Sequence, residues 1–449
     1  MNYQIKKFLC CMCVCFFCCT VFLQAADDDE QTMRDTIHYG TDSEIATVIK
    51  KIKTDKISSL DDDLAELAKT SNNDAILIGV FSYFSDQKKD TLADKALTIL
   101  KDREDKSVVI ILAAINYAGA VQDKKAQEVL QEIVTQNETR YNNSAIKALG
   151  NIAGNAGKAA ADDMAEYLIG FYRDNELTED TRHEIIVSLG STGSKSALPF
   201  LHEIMGADDT SSYLKSGTLE ALGKIKDNES LDIIIAAAAH EEPVVRAAAI
   251  SALGTFSDAK SGKIILDAFR DSFFRTRLAA AKAAGLRKID DAIPYLRHRS
   301  LYDDAASVRE ESIKSLGAMD LQEANKTLKD IFEDTKSNDR IRILCAEALL
   351  KNDPGTYCDI IIVKLDDLKK NRQTAMYNGL LKALTETQTP RLEELAARLF
   401  ASKDVIDNAF ALEITSKNNF SVFKDQVEKM SETKNSTLAK KAGEILKNL

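Results

Sequence analysis

Three His-Glu pairs, His183-Glu184, His202-Glu203 and His240-Glu241, are the residues best able to do chemistry, because imidazole and carboxylate together can hold a transition metal. A second set is cationic. Arg182, Lys215, Arg246, Arg277, Arg309 and Arg342 recur at a nearly constant interval, and acids such as Asp180, Glu242, Asp304 and Asp339 stand beside them. One reading is a basic ladder for phosphate or acidic ligands. The other is structural, each cation reaching a carboxylate or carbonyl of its own or a neighbouring turn. The adjacent acids and a net charge of −11 favour the structural reading. No nucleophile elbow, phosphate loop, HExxH or paired-Cys zinc spacing occurs. The aspartate runs at Asp61-Asp62-Asp63 and Asp27-Asp28-Asp29 lack the alternating oxygens and glycine of a calcium loop.

What positions these residues is a repeat. Small-Leu-Gly recurs at Ala148-Leu149-Gly150, Ser188-Leu189-Gly190, Ala221-Leu222-Gly223, Ala252-Leu253-Gly254 and Ser315-Leu316-Gly317, with Gly119 and Gly285 in looser copies. From Gly119 to Gly317 these glycine slots keep an almost even period, with one longer unit between Gly150 and Gly190. Each period carries two helical patterns and no strand pattern, so stacked helical hairpins are expected. Pro243 opens a second helix, and Pro199 and Pro294 open first helices, where a missing N–H costs nothing. The alanines allow close helix approach, and each slot glycine is free to take a left-handed cap.

The run Pro243-Val244-Val245-Arg246 to Ala252-Leu253-Gly254, echoed at Val308-Arg309 to Leu316-Gly317, resembles the HEAT family, in particular the short repeats of phycobilisome lyases. The resemblance is specific over roughly 140–350 and weaker outside it: Leu350 replaces the slot glycine, and the unit around Ala383-Leu384 has none. It implies an all-α, right-handed superhelical α-solenoid of about eleven hairpins, in which an Asp/Arg ladder stitches the repeats. The expected organisation is a secretory signal at 1–25, an acidic mature N-terminus at 26–41, and one continuous solenoid over 42–449.

The resemblance also sharpens the metal question. Deoxyhypusine hydroxylase, a HEAT-type enzyme, sets four His-Glu pairs at equivalent helix starts. Arg182-His183-Glu184 sits at such a place. The equivalent positions here hold Ser216-Gly217, Ala247-Ala248, Leu278-Ala279, Glu310-Glu311 and Ile343-Leu344, none with histidine. No metal and no other cofactor is expected.

A binding face remains. In HEAT proteins the second helices line the concave side, and residues seven and three before the slot, four apart on a helix, should point outward together. That stripe reads His183, Val187, Ser216, Glu220, Ala247, Ser251, Leu278, Lys282, Glu310, Lys314, Ile343 and Glu347. Its mixture of small, apolar and oppositely charged groups suits a protein or peptide rather than nucleic acid, which calls for continuous positive charge. Phe273 and Phe274 join the candidates, with at least one ring expected in the core and the other an exposed anchor.

The leader sets the compartment. Lys6 and Lys7 precede an apolar run from Phe8 to Leu23, and Leu23-Gln24-Ala25-Ala26 offers a small-residue cleavage site. Six of eight cysteines lie in it. Cys345 and Cys358 remain, able to form one bridge in an oxidising compartment; the favoured alternative is a buried Cys345 and an unpaired Cys358. No membrane span is expected after cleavage. The reading is a non-catalytic protein-binding scaffold of the periplasm or cell envelope, with an enzyme or enzyme accessory of lyase or metal-dependent hydroxylase type as the alternative.

Overall fold

The computed structural model describes residues 30–446 and Leu449. The leader and the acidic run at 27–29 lie outside the described residues. Within them every regular element is helical and no strand occurs. The chain is an all-α solenoid of thirteen hairpins among the described residues, two more than the repeat signature suggests. The array already begins at 30–39, a helix that buries Met33 and Ile37.

Two compact units divide the chain, Thr32–Arg287 and a second built mainly from Lys288–Leu449. In the first unit the second helices of the hairpins are α1 (Asp42–Asp55), α2 (Asp74–Gln87), α3 (Val108–Val121), α4 (Asn142–Ala153), α5 (Glu179–Thr192), α6 (Ser212–Ile225), α7 (Pro243–Leu253) and α8 (Phe274–Arg287). In the other they are α9 (Ala306–Met319), α10 (Asp339–Asn352), α11 (Thr374–Thr385), α12 (Val405–Asn418) and α13 (Ser436–Leu446). Within each unit every second helix packs on the next, and first helices pack on their own partners.

Local chemistry explains the element ends. Thr178 accepts from the Thr181 N–H and Ser211 from the Leu214 N–H, capping α5 and α6; Thr41 and Glu44 form a full capping box on α1. Pro199, Pro243 and Pro294 sit in first turns, as their fixed φ favours. The slot glycines do not form left-handed caps. Gly190 and Gly223 lie inside α5 and α6, and the cap falls three residues later, on Gly193 (φ 66°) and Lys226 (φ 54°).

The slot glycine instead answers to the neighbouring hairpin. A Cβ on Gly190 would lie 2.5 Å from the Ala221 Cα, and one on Gly150 would lie 2.8 Å from the Ser188 carbonyl oxygen. Only a residue with no side chain permits that approach. On either side of this seam, leucines and isoleucines such as Leu149, Ile185, Leu189, Leu219, Leu222 and Leu253 fill the core.

Candidate functional site

The cation ladder is built at the turns between first and second helices. Arg246 Nη1 donates to the carbonyls of His240 (3.0 Å) and Glu241 (2.8 Å), while Nε and Nη2 grip the Asp271 carboxylate at 2.8 and 3.0 Å. That carboxylate belongs to the next turn, so the guanidinium links two hairpins. Burial pushes the Asp271 carboxyl up, but hydrogen bonds from Arg246 and the Phe273 N–H, with the charges of Arg246 and Arg277, hold it below the ordinary carboxylate range. Arg277 donates to Asp271 O and Ser272 O, both at 3.0 Å, and Arg309 to Asp303 O (2.6 Å) and Asp304 O (3.1 Å). Arg342 is buried and donates to Phe332 O at 2.9 Å. Arg182 lies over the Tyr172 ring, 5.6 Å from its centroid. Lys215 is half-buried.

None of the stripe residues enters the core. Glu220, Ser251, Lys282, Glu310, Lys314 and Glu347 are exposed, and His183, Val187, Ser216, Leu278 and Ile343 are half-buried. His183 lies flat against Tyr213 of the next hairpin, ring centroids 4.0 Å apart and planes 4° from parallel. Beside it, Glu184 is raised above the ordinary carboxylate range by burial, against the opposing pull of Lys147, His183 and Lys224. The expectation that one ring of Phe273 and Phe274 is core fails. Phe273 is half-buried and Phe274 36% exposed, the two meeting edge to face, because Phe273 closes the turn and Phe274 opens α8 before it descends into the stack.

The His-Glu pairs are scattered. His202 Nε2 meets the Ser230 hydroxyl at 2.9 Å and His240 Nδ1 accepts from the Glu242 N–H at 3.0 Å. Among the described residues no group of three or more His, Cys, Asp or Glu could hold a metal ion. Cys345 and Cys358 are both buried and unbridged. Burial pushes their thiols up to about 12 and about 11, the Asp359 charge adding at Cys358, so neither is a nucleophile at neutral pH.

One feature of the outward face escapes the repeat signature. Over α2, α3 and α4 lies a groove of about 770 Å³, floored by Ile78, Phe81, Val109, Leu112 and Ala113 and edged by Asn116 and Lys147. Val109 is 57% exposed, and Lys147 makes no ion pair among the described residues. Leu112 and Asn116 stand seven and three before Gly119, so they continue the stripe. Gly119 was the available signal. Upstream, Ser85 fills the slot in α2, so the register is not marked by glycine there.

The sequence family described as "Spirochaete HEAT repeat protein" matches residues 37–445. No curated protein matches the chain. Among solved structures the chain is similar to Kap95 in its complex with Nup1, at 11% identity and TM-score 0.50, covering 92% of this chain and 66% of that one. It is similar also to yeast importin-β (Kap95p), at 12% identity and TM-score 0.49 over 92% and 67%, and to YibA of Escherichia coli, at 15% identity and TM-score 0.38 over 59% and 95%. The chain spans about half the length of Kap121p, 52% of it. At these identities the likeness bears on the fold alone. No helix among the described residues is long and apolar enough to cross a membrane.

Proposed function

Because the chain belongs to the spirochaete HEAT repeat protein family, we propose that it is an exported, non-catalytic scaffold that holds a protein partner on the outward face of its second helices, in the periplasm or cell envelope. The observation that carries this reading is that face itself. Positions seven and three before each slot stay out of the core from Leu112 to Glu347, and over α2 to α4 they open into an apolar groove. Apolar surface with amides and single charges at its edge is what protein partners cover. A preformed helical array keeps the ordering cost of binding low. Kap95, solved with Nup1, is a solenoid of this fold bound to a protein. Export is supported by Lys6-Lys7, the apolar run to Leu23 and the small residues at Ala25-Ala26.

In-cell photocrosslinking tests the face. A crosslinker at Leu112, Glu220 or Lys314 should give discrete protein adducts, and Leu112→Glu or Lys314→Glu should cut the adducts formed in its own unit at least tenfold. Adducts confined to first helices, or unchanged by both substitutions, would sink the reading. Recovery of the chain in the cytoplasm with its leader, Met1 to Ala25, still attached would remove the export half of it.

A further inference from the structure

We propose that Arg309 is a docking point for the carboxylate of an aspartate or glutamate side chain carried by a partner protein. The site lies at the turns of the second unit and shares Glu310 with the outward helix face. Its logic comes from comparing two rungs of one ladder. Arg246 and Arg309 are anchored alike, Nη1 of each bridging the two carbonyls of its own turn. In Arg246 the remaining edge, Nε and Nη2, takes Asp271 in a two-point grip. In Arg309 the same edge has no partner among the described residues.

The sequence shows why the rung is open. Counting back from the Gly285 slot to Asp271, the same step back from the corresponding Leu350 lands on Lys336. Leu350 is the matching slot because Gly317 faces Ala348 as Gly254 faces Ala283. A cation has replaced the acid. The nearby Asp334 does not substitute: it accepts from the Lys336 N–H at 3.0 Å and from the Ser337 hydroxyl at 3.1 Å, closing its own turn.

Between these groups lies a groove of about 770 Å³, lined by Tyr302, Arg309, Glu310, Asp334, Lys336 and Arg340, with Asp303 also on its wall. Its acids are committed. Asp303 is buried against Arg299 (3.3 Å) and accepts from the Ala305 N–H, and Glu310 pairs with Arg340 at 3.3 Å. The Arg309 edge and the Lys336 ammonium remain for a ligand, with Tyr302, 72% exposed, as an aromatic wall. A guanidinium edge matches carboxylate and phosphate alike. Three fixed carboxylates around the groove disfavour a dianion, and the ligand that the sister rung holds is a carboxylate.

Saturation-transfer NMR on the full chain tests this with blocked tetrapeptides, acetyl-Gly-Glu-Gly-Gly-amide and its glutamine and phosphoserine counterparts, and with unblocked tetraglycine. The glutamate peptide should give transfer at least tenfold stronger than the glutamine peptide, and Arg309→Gln should abolish it. Because Arg309 also braces its turn, Lys336→Asp is the second variant. It places an acid on the open rung of an intact turn, and it should block the peptide while raising the midpoint of unfolding. Equal signals from glutamate and glutamine, a stronger signal from phosphoserine or from the tetraglycine terminus, or an undiminished signal in folded Lys336→Asp would each overturn the proposal.

Discussion

Helices α2 and α3 part from α4 to α8 at the position two residues before the slot. There α2 and α3 carry Tyr83 and Tyr117, where α4 to α8 carry Ala148, Ser188, Ala221, Ala252 and Ala283. The tyrosines reach the linkers between hairpins. Tyr117 donates to Lys89 O at 2.7 Å and accepts from the Leu92 N–H at 2.9 Å, and Tyr83 lies 2.7 Å from Ile57 O and 2.6 Å from the Asp61 carboxylate. The small residues instead let a glycine backbone press against the next helix. Both devices join consecutive hairpins, one by hydrogen bonds to linker backbone and the other by contact. A ring between helices needs more room than glycine against alanine. Phe81 and Tyr117, 5.0 Å apart, lie under the apolar groove, which runs on over the contact of Gly119 with Ala148 between α3 and α4.

The contact device should be the more fragile. Gly190→Val sets a branched side chain where even a Cβ would stand 2.5 Å from backbone, and should cost about 3 kcal/mol. Denaturant midpoints would check this, and a loss under about 1 kcal/mol would mean that the seam can open. Arg246→Gln, which strips a mostly buried Asp271 of its two-point partner, should cost about 2 kcal/mol at neutral pH. The sign with pH follows from the lowered Asp271 carboxyl. Its stabilisation is present above the ordinary carboxylate pKa of about 3.9 and is lost as pH falls through the lower folded value. The gap between wild type and Arg246→Gln should therefore narrow on acidification below about pH 4; a gap constant with pH would mean that the pair contributes nothing through ionisation. Tyr117→Phe is the mildest, about 1 kcal/mol, because packing survives and only the bridge to Lys89 and Leu92 goes. A loss equal to that of Gly190→Val would erase the distinction between the two joints.

The repeat was legible because stacking imposes a fixed period and a glycine where backbones touch. The hairpin rhythm, the prolines at helix starts and the outward pairs four residues apart follow from that. Sequence alone misjudged the glycine's task. Left-handed capping and close approach call for the same residue, and only the position of Ala221 relative to Gly190 separates them. The groove at Ile78 and Leu112 was hidden for a related reason. Between the hairpins of α2 and α3 a tyrosine hydroxyl does the joining, so no small residue was required there and the signature faded.

Period, helical class and the alternation of buried and outward faces are local consequences of side-chain spacing, and the chain's order of residues determined them. That the Arg246 guanidinium takes its carboxylate from the turn of the following hairpin was decided only in three dimensions. Arg246 and Arg309 sit in like motifs, and a partner for each must come from the turn of the following hairpin, whose reach depends on how one hairpin settles on the next.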